Sequence, residues 1–331
     1  MQGFNVSREQ LEQQQIPIYF IAVIVAAVGG LFAPVASQVL GVLVTPAIAV
    51  LMYAMFLQIP FLDLRQGLGN RRFVLALLIA NFVVIPLLVW LLTRVLSEHT
   101  AILVGALLVL LTPCIDYVVV FTHLGKGDSR LVLAATPLLL LLQLLLLPLY
   151  LALMMGSESS VAISISPFVE AFLVLIVLPL VLAVLTAAGV RRSSMAARWN
   201  DAWAWMPVPA MAAVLVVVIG SQMASVVNSL DELLPVIPVY LAFMVLAPLA
   251  GALVARAFRL PAVSARSVAF STSTRNSLVV LPLALALPEG IRELAAAAVI
   301  TQTLIELVSE LIYIRVIPAL IRGNEQAEAV R

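Results

Sequence analysis

The sequence predicts an all-α polytopic membrane protein with ten transmembrane helices arranged as two inverted five-helix repeats. The first observation behind this prediction is the composition. Of the 331 residues, 63% are hydrophobic and 11% are charged, and the mean hydropathy is +1.16. Soluble domains are about 45–50% apolar and about 25% charged. Soluble enzymes and disordered chains are therefore excluded.

The second observation is that the apolar residues form ten runs of roughly the length that a helix needs to span a bilayer. The polar N-terminus lacks the basic start and cleavage site of a signal peptide, so we expect the first run to remain as a spanning helix. The predicted spans are 16–36, 39–60, 72–95, 101–124, 130–155, 165–188, 203–227, 233–257, 262–288 and 292–321. The resulting segments are an N-terminal tail (1–15), a first repeat (16–155), a connecting loop (156–164), a second repeat (165–321) and a C-terminal tail (322–331).

The third observation is a correspondence between the two halves. Five spans is an odd number, so the second repeat would run through the membrane in the opposite direction, which is a transporter architecture. The segment TPCIDYVVV (112–120) of span four can be laid on STRNSLVV (273–280) of span nine, with Asp116 matching Asn276. Pro113 and the polar run 271–277 should each interrupt a helix near mid-membrane. Such freed backbone is tolerated only where it lines an enclosed cavity, so both breaks indicate a central site.

Lysine and arginine set the orientation, because positive charge is retained on the cytoplasmic side. Fourteen of these residues fall in loops and tails of one side, and only Arg94 and Arg292 fall on the other. We therefore predict an inner (plasma) membrane protein with both termini in the cytoplasm. The fourteen are Arg8, Arg65, Arg71, Arg72, Lys126, Arg130, Arg191, Arg192, Arg198, Arg256, Arg259, Arg266, Arg322 and Arg331.

Prolines inside the other spans should kink helices whose freed backbone groups are satisfied by neighbouring spans. These prolines are Pro46, Pro86, Pro137, Pro148, Pro179, Pro248 and Pro282.

Four ionisable side chains lie within predicted spans, where a charge costs about 2.5–3.5 kcal/mol and needs a partner, a cavity or a function. They are Asp116, Arg275, Glu306 and Glu310. Arg275 is placed to neutralise Asp116 or Glu306. The two glutamates lie one turn apart on one helix face and are candidate proton carriers, although Glu310 has Arg315 as an alternative partner.

Cys114 is the only cysteine, which excludes an intrachain disulfide and a multi-cysteine metal site. It follows Pro113 at the break, and its sulfur is the soft ligand that a soft metalloid selects. A net charge of +1 without a basic cluster excludes nucleic acid as a partner. The chain has no recognisable cofactor or nucleophile motif, so we predict neither an enzyme nor a cofactor. A membrane scaffold or sensor is disfavoured by the short loops.

The motifs TPC (112–114), HLGKGD (123–128) and LIE (304–306) together resemble the bile acid:sodium symporter superfamily, and most closely its arsenical-resistance branch. The resemblance implies a panel domain (spans 1, 2, 6 and 7) and a core domain (spans 3–5 and 8–10) in which broken spans 4 and 9 cross. It implies that Cys114 and Glu306 take part in arsenite efflux, thought to be driven by proton exchange without a nucleotide-hydrolysing domain.

Two features depart from that branch. Ile115, Asp116 and Tyr117 replace its usual small and Met-rich residues, and Arg275 precedes Asn276 where the branch shows two asparagines. The Glu and Gln with which the sodium-coupled branch helps to ligate sodium in span nine do not occur between 262 and 287.

The prediction is therefore a secondary carrier that exports arsenite, and also antimonite if the site accepts it, in exchange for protons. Its partners would be membrane lipids, arsenite and protons, and the sequence gives no oligomeric state. The alternative is a sodium- or proton-coupled symporter of a small organic anion bound by Arg275. The predicted substrate site consists of Cys114, as the arsenic(III) ligand, with Thr112, Asp116, Arg275 and Asn276, and the proton-coupling residues are Glu306 and Glu310.

Overall fold

The computed structural model describes residues 14–32, 34–58, 69–115, 117–155, 173–190 and 192–323. All regular elements within these ranges are helices. The helices of the first half are α1 (Gln15–Phe32), α2 (Pro34–Leu57), α3 (Arg71–Ile79), α4 (Ile85–Thr93), α5 (Thr100–Leu110), α6 (Val118–Leu124) and α7 (Ser129–Met155). Those of the second half are α8 (Leu178–Val190), α9 (Ser194–Trp203), α10 (Pro207–Asn228), α11 (Leu230–Leu233), α12 (Val236–Ala257), α13 (Ala262–Ser273), α14 (Ser277–Leu285) and α15 (Glu289–Leu320). A π-helical turn (Ala80–Val84) joins α3 to α4, a 3-10 turn (Arg94–Leu96) follows α4, and a second π-helical turn (Leu173–Val177) precedes α8.

The all-helical membrane class is confirmed. Six segments of the described residues are long and apolar enough to cross a membrane, and α1, α5 and α8 are shorter apolar helices. The six are Val39–Leu57, Arg71–Leu96, Ser129–Met155, Pro207–Asn228, Val236–Ala257 and Glu289–Leu320. The arrangement of ten spans as inverted repeats stays a prediction. Residues 1–13, 156–172 and 324–331, which include the predicted connecting loop and most of both tails, lie outside the described residues.

Some predicted boundaries differ from the observed ones. The division of the spans 101–124 and 262–288 into two helices each, α5 with α6 and α13 with α14, agrees with the predicted interruptions. The span predicted to begin at 203 begins at Pro207, because Trp203 is the last residue of the separate short helix α9. Ser193 caps the N-terminus of α9 by accepting a hydrogen bond from the Ala196 amide, as N-cap serines commonly do.

The helices fall into two compact units. Unit 1 contains α1, α2 and α8–α10, which are the predicted spans 1, 2, 6 and 7. Within it, α10 packs against α1 and α2, and α8 packs against α2. The approach of α1 to α10 requires glycine, because a Cβ on Gly30 would lie 2.7 Å from the Gly220 carbonyl oxygen. Small residues allow membrane helices to pack at this distance.

Unit 2 contains α3–α7 and α12–α15, which are the predicted spans 3–5 and 8–10. Within it, α12 packs on α13 and α15 packs on α5. Gly105 of α5 faces α15 closely, since a Cβ there would lie 2.4 Å from the Ala295 carbonyl oxygen.

Two prolines inside helices of unit 2 share one arrangement, in which a tyrosine of a neighbouring helix donates to the carbonyl that the proline leaves free. A proline has no amide hydrogen and displaces the carbonyl four residues earlier. Four residues before Pro86, the Phe82 carbonyl accepts a hydrogen bond from the Tyr150 hydroxyl at 2.6 Å. Four residues before Pro248, the Met244 carbonyl accepts one from the Tyr313 hydroxyl. Neighbouring helices therefore satisfy the freed carbonyls, as predicted for these two prolines. The two prolines and their two carbonyls lie 162 residues apart, and the two donor tyrosines 163.

Candidate functional site

The centre of unit 2 is a crossing of two interrupted helices. The first interruption separates α5, which ends at Leu110, from α6, which begins at Val118. The second separates α13, which ends at Ser273, from α14, which begins at Ser277. Both predicted interruptions are thus confirmed. We call this region the crossing, and define it as residues 111–115, Tyr117 and residues 274–276.

Backbone hydrogen bonds hold the two interruptions together. The Cys114 amide donates to the Thr274 carbonyl at 3.1 Å, and the Asn276 amide donates to the Thr112 carbonyl at 2.8 Å. Pro113 and Arg275 face each other between these bonds as an isolated antiparallel bridge. The pairing satisfies backbone groups that the helices leave free, which membrane-embedded backbone requires.

This pairing suggests a second correspondence between the two halves, beside the one that the sequence predicted. The two hydrogen bonds are equivalent if Thr112 corresponds to Thr274, Pro113 to Arg275 and Cys114 to Asn276, a separation of 162 residues. The alignment of Asp116 with Asn276 has a separation of 160, and which separation relates the two halves stays a prediction together with the inverted repeat. Asp116 itself lies outside the described residues.

Arg275 is fully buried, and its guanidinium lies among oxygen acceptors. Its Nη2 donates to the Ser271 carbonyl at 2.6 Å, the Thr272 carbonyl at 2.7 Å and the Asn81 Oδ1 at 3.0 Å. Its Nη1 donates to the Leu110 carbonyl at 3.4 Å. Among the described residues no carboxylate forms an ion pair with this guanidinium.

The predicted pairing of Arg275 with Glu306 therefore takes another form. It is the backbone amide of Arg275, not its guanidinium, that donates to Glu306 Oε2, at 2.9 Å. The same carboxylate accepts from Gln302 Nε2 at 2.5 Å and from the Tyr117 hydroxyl at 2.6 Å. Glu306 is fully buried and attaches α15 to the crossing through two donors, the Arg275 amide and the Tyr117 hydroxyl, while Gln302 donates from within α15.

Glu310, one turn further along α15, is also fully buried. Its Oε1 accepts from the Thr274 hydroxyl at 2.6 Å, and its Oε2 has no hydrogen-bond partner among the described residues. The predicted alternative pairing with Arg315 is wrong, because Arg315 is exposed and no ion pair joins the two among the described residues. Residues five apart on a helix do not share a face.

The remaining predicted substrate residues lie at the crossing. Cys114 is fully buried. The Thr112 hydroxyl donates back to α5, to the Leu108 carbonyl at 2.9 Å, so the Thr112 carbonyl is the group that takes part in the crossing. Asn276 Oδ1 accepts from the Val279 amide at 3.3 Å, whereas its Nδ2 has no partner among the described residues. Cys114, Arg275, Asn276, Glu306 and Glu310 are thus all brought to or directly against the crossing.

Sequence reasoning missed Asn81. It lies in the π-helical turn between α3 and α4, is fully buried, and binds the Arg275 guanidinium. Its Nδ2 donates to the Leu77 carbonyl and to the Ser271 hydroxyl, both at 3.1 Å. A π-helical turn inside an α-helix is frequently found at a functional site. The available signal was an asparagine in the middle of an otherwise apolar span.

The family comparison agrees with the resemblance seen in the sequence. The model of the sodium bile acid symporter family matches residues 45–229, which is 185 of the 331 residues. The chain belongs to this family. Its members are transporters rather than enzymes, and membership indicates a sodium-coupled membrane transporter. No curated protein matches the chain.

The matched range runs from α2 to α10 and includes Cys114, and it ends before Arg275 and Glu306. The match is to the family as a whole. The arsenical-resistance branch therefore stays a prediction, as do the location in the plasma membrane and the cytoplasmic termini.

Proposed function

We propose that this family member is a secondary transporter that exports arsenite by alternating access in exchange for protons. The observation that carries the proposal is the position of Cys114: the only cysteine of the chain lies in the crossing and corresponds there to Asn276. Soft thiolate ligands favour soft metal and metalloid ions. A cargo held through a single sulfur can also be released, as a carrier requires.

The binding chemistry is a reversible exchange at arsenic(III). The Cys114 thiol displaces one hydroxide of arsenic trihydroxide, an arsenic–sulfur bond replaces an arsenic–oxygen bond, and one water leaves with the thiol proton. The reverse reaction releases the cargo. Asn276 Nδ2, which has no partner among the described residues, is available to a remaining hydroxyl. Thr112, Asp116 and Arg275 belong to the same two interruptions and complete the proposed surroundings.

The proton-exchange role falls to Glu306 and Glu310. Both carboxyl groups are fully buried within one helical turn, and among the described residues one fully buried arginine accompanies them. Carboxyl groups that share a buried site cannot both ionise easily, so a proton can be exchanged there. Glu306 accepts from the backbone of the crossing, so gain of a proton changes how α15 is attached to it. Protonation and cargo binding are then coupled if they favour opposite-facing states.

Two repeats related by a separation of 162 residues are part of this proposal. The separation is supported by the crossing and by the proline motifs at Phe82 and Met244. Two inverted repeats can exchange their conformations and so expose one central site to either side.

Arsenite uptake into everted membrane vesicles with an imposed pH gradient tests the cargo. We expect the wild type to accumulate arsenite and Cys114→Ser to lose accumulation, because a hydroxyl does not replace sulfur at arsenic. Ser273→Ala is the matched control, since the Ser273 hydroxyl donates only to carbonyls of its own helix. Unchanged uptake in Cys114→Ser would remove the cysteine from the mechanism.

The proton role is tested in the same vesicles with Glu306→Gln and Glu310→Gln. The variant that lacks the proton carrier should no longer accumulate arsenite under the pH gradient. It should still exchange arsenite across the membrane when there is no gradient. Gradient-driven transport that survives both substitutions would exclude proton exchange through this pair.

The family description favours a second candidate, a sodium-coupled symporter of an organic anion. This candidate needs Arg275 to bind the anion, yet its guanidinium already donates to four protein oxygens. It would be supported if transport required sodium, if Arg275→Gln abolished it and if Cys114→Ser left it unchanged.

A further inference from the structure

The Arg275 guanidinium lies at the C-terminal ends of two half-helices. Leu110 is the last residue of α5, and Ser271 and Thr272 belong to the last turn of α13. Helix C-termini carry about half a negative elementary charge on carbonyls that lack intrahelical partners. Three of these carbonyls accept from the guanidinium. A positive charge at this point is therefore stabilised by both half-helices.

The groups around the guanidinium come from both halves of unit 2, Asn81 and Leu110 from the first and Phe243, Ser271 and Thr272 from the second. The carbonyl acceptors Leu110 and Thr272 lie 162 residues apart, the separation that relates the two sides of the crossing. Asn81 and Phe243 lie the same distance apart, and both contact the guanidinium: Asn81 through Oδ1 and Phe243 through its ring, 5.6 Å from Cζ. The guanidinium of Arg275 thus lies where both halves contribute residues from equivalent positions.

These acceptors have the chemistry of a sodium site. Carbonyls of unwound segments and of half-helix C-termini coordinate Na⁺ in transporters with broken helices, and hard cations are bound by oxygen ligands of this kind. The oxygens of Asn81, Leu110, Ser271 and Thr272 form such a set, and the guanidinium fills the space that they surround. A dissociable cation and the guanidinium cannot occupy it together.

We propose that Arg275 is a tethered cation that takes the place of a dissociable sodium ion among the oxygens of Asn81, Leu110, Ser271 and Thr272. A covalently attached charge stabilises the crossing but is not released during a transport cycle, so these oxygens do not couple transport to sodium. The inference goes beyond the proposed function, because it concerns the coupling ion and holds for any cargo.

The test is the melting temperature of the purified full-length protein in detergent, without arsenite, in sodium chloride and in potassium chloride of equal concentration. We expect the same melting temperature for the wild type in both salts. Arg275→Ala should melt at a lower temperature in potassium and regain about 2 °C or more in sodium, saturably, because a ligand that binds only the folded state raises its stability.

Two further variants make the test specific. Removal of one oxygen ligand in Asn81→Ala/Arg275→Ala should abolish the response to sodium. Arg266→Ala is the matched control, since Arg266 is a buried arginine of α13, the helix that precedes Arg275, and donates to the Ile321 and Lys126 carbonyls. It should lower the melting temperature without producing a sodium response.

Arg275→Gln replaces Arg275→Ala if the alanine variant does not fold, because glutamine fills most of the space without supplying a charge. Sodium stabilisation of the wild type that equals or exceeds that of the Arg275 variant would overturn the proposal. So would a folded Arg275 variant that melts at one temperature in both salts. Because arsenite is absent, either result is independent of whether arsenite is the cargo.

Discussion

The two units bury different kinds of side chain. Among the described residues, every buried polar or charged side chain belongs to unit 2, from Asn81 in its first helix pair to Glu310 in its last helix. Apart from Tyr19, the side chains of unit 1 that are buried among the described residues are apolar, for example Ile48, Leu51 and Val214. Unit 1 is therefore held together by packing and by hydrogen bonds outside its buried core, such as that between Tyr53 and Thr186, and unit 2 by packing together with a buried hydrogen-bond network.

The difference between the units shows that the buried ionisable side chains, which a membrane protein does not need for folding, are concentrated in unit 2. An ionisable group inside the bilayer is costly and marks a functional site. Unit 1 demonstrates that this chain forms packed membrane helices without such groups. We therefore attribute the buried hydrogen-bond network around the crossing to the function of unit 2. Substitutions in the two units should then lower the stability of the protein by different amounts.

The largest effect is expected for Glu306→Leu. This substitution leaves the Arg275 amide and the Gln302 amide without their acceptor, and leaves the Tyr117 hydroxyl with the Arg275 carbonyl alone, at 3.2 Å. A buried donor without a partner costs about 1–3 kcal/mol, so the free energy of unfolding should fall by about 3 kcal/mol or more. Denaturant titration of the purified protein measures this loss.

Glu289→Leu is the matched control on the same helix. Glu289 is exposed and pairs with Arg292 at 3.5 Å, and exposed pairs contribute little. If Glu306→Leu were as stable as this control, the carboxylate would not be the group that attaches α15 to the crossing, and the contrast between the units would lose its strongest example.

A smaller loss is expected for Gly105→Ala. The new Cβ would lie 2.4 Å from the Ala295 carbonyl oxygen and 3.0 Å from the Ala298 Cβ. Because the first contact is backbone, α5 and α15 must separate, and overpacking of this kind costs about 1–3 kcal/mol. Gly41→Ala in unit 1 meets nothing within 4 Å and should leave the melting temperature unchanged or slightly raised. Equal effects of the two substitutions would contradict the close packing of α5 on α15.

The sequence predicted the residues of the site better than their contacts. Cys114, Arg275 and Glu306 stood out because polar groups are rare in apolar spans, and all three lie at the crossing or bind it. Which atoms meet depends on the backbone path through each interruption. That path turns the Arg275 guanidinium toward Asn81 and its amide toward Glu306, and no residue pattern encodes this choice.

The predicted helix boundary at residue 203 was wrong because hydropathy is ambiguous there. The stretch 194–206 contains Trp199, Trp203 and Trp205, and aromatic residues are typical both of spanning helices and of helices at the membrane surface. The observed break after Trp203 depends on contacts between α9 and its neighbours α2 and α8. By contrast, the sequence could predict that neighbouring helices donate to the carbonyls freed by Pro86 and Pro248, because a free carbonyl inside a membrane must find a donor.

The smallest effect is expected for Tyr53→Phe in unit 1. The Tyr53 hydroxyl contacts the Thr186 hydroxyl at 2.9 Å in a part-buried position and accepts from Trp199 Nε1 at 2.9 Å at the exposed edge of the same site. Interhelical hydrogen bonds of this kind contribute about 0.6 kcal/mol on average, and the edge-to-face contact of Tyr53 with Trp203 is kept. Tyr117→Phe removes the corresponding hydroxyl from the buried carboxylate of Glu306, and bonds to charged groups contribute about 1.5–3 kcal/mol. Denaturant titration of the two variants compares the units directly: equal losses would show that a hydroxyl of unit 1 stabilises the fold as much as one in the buried network of unit 2.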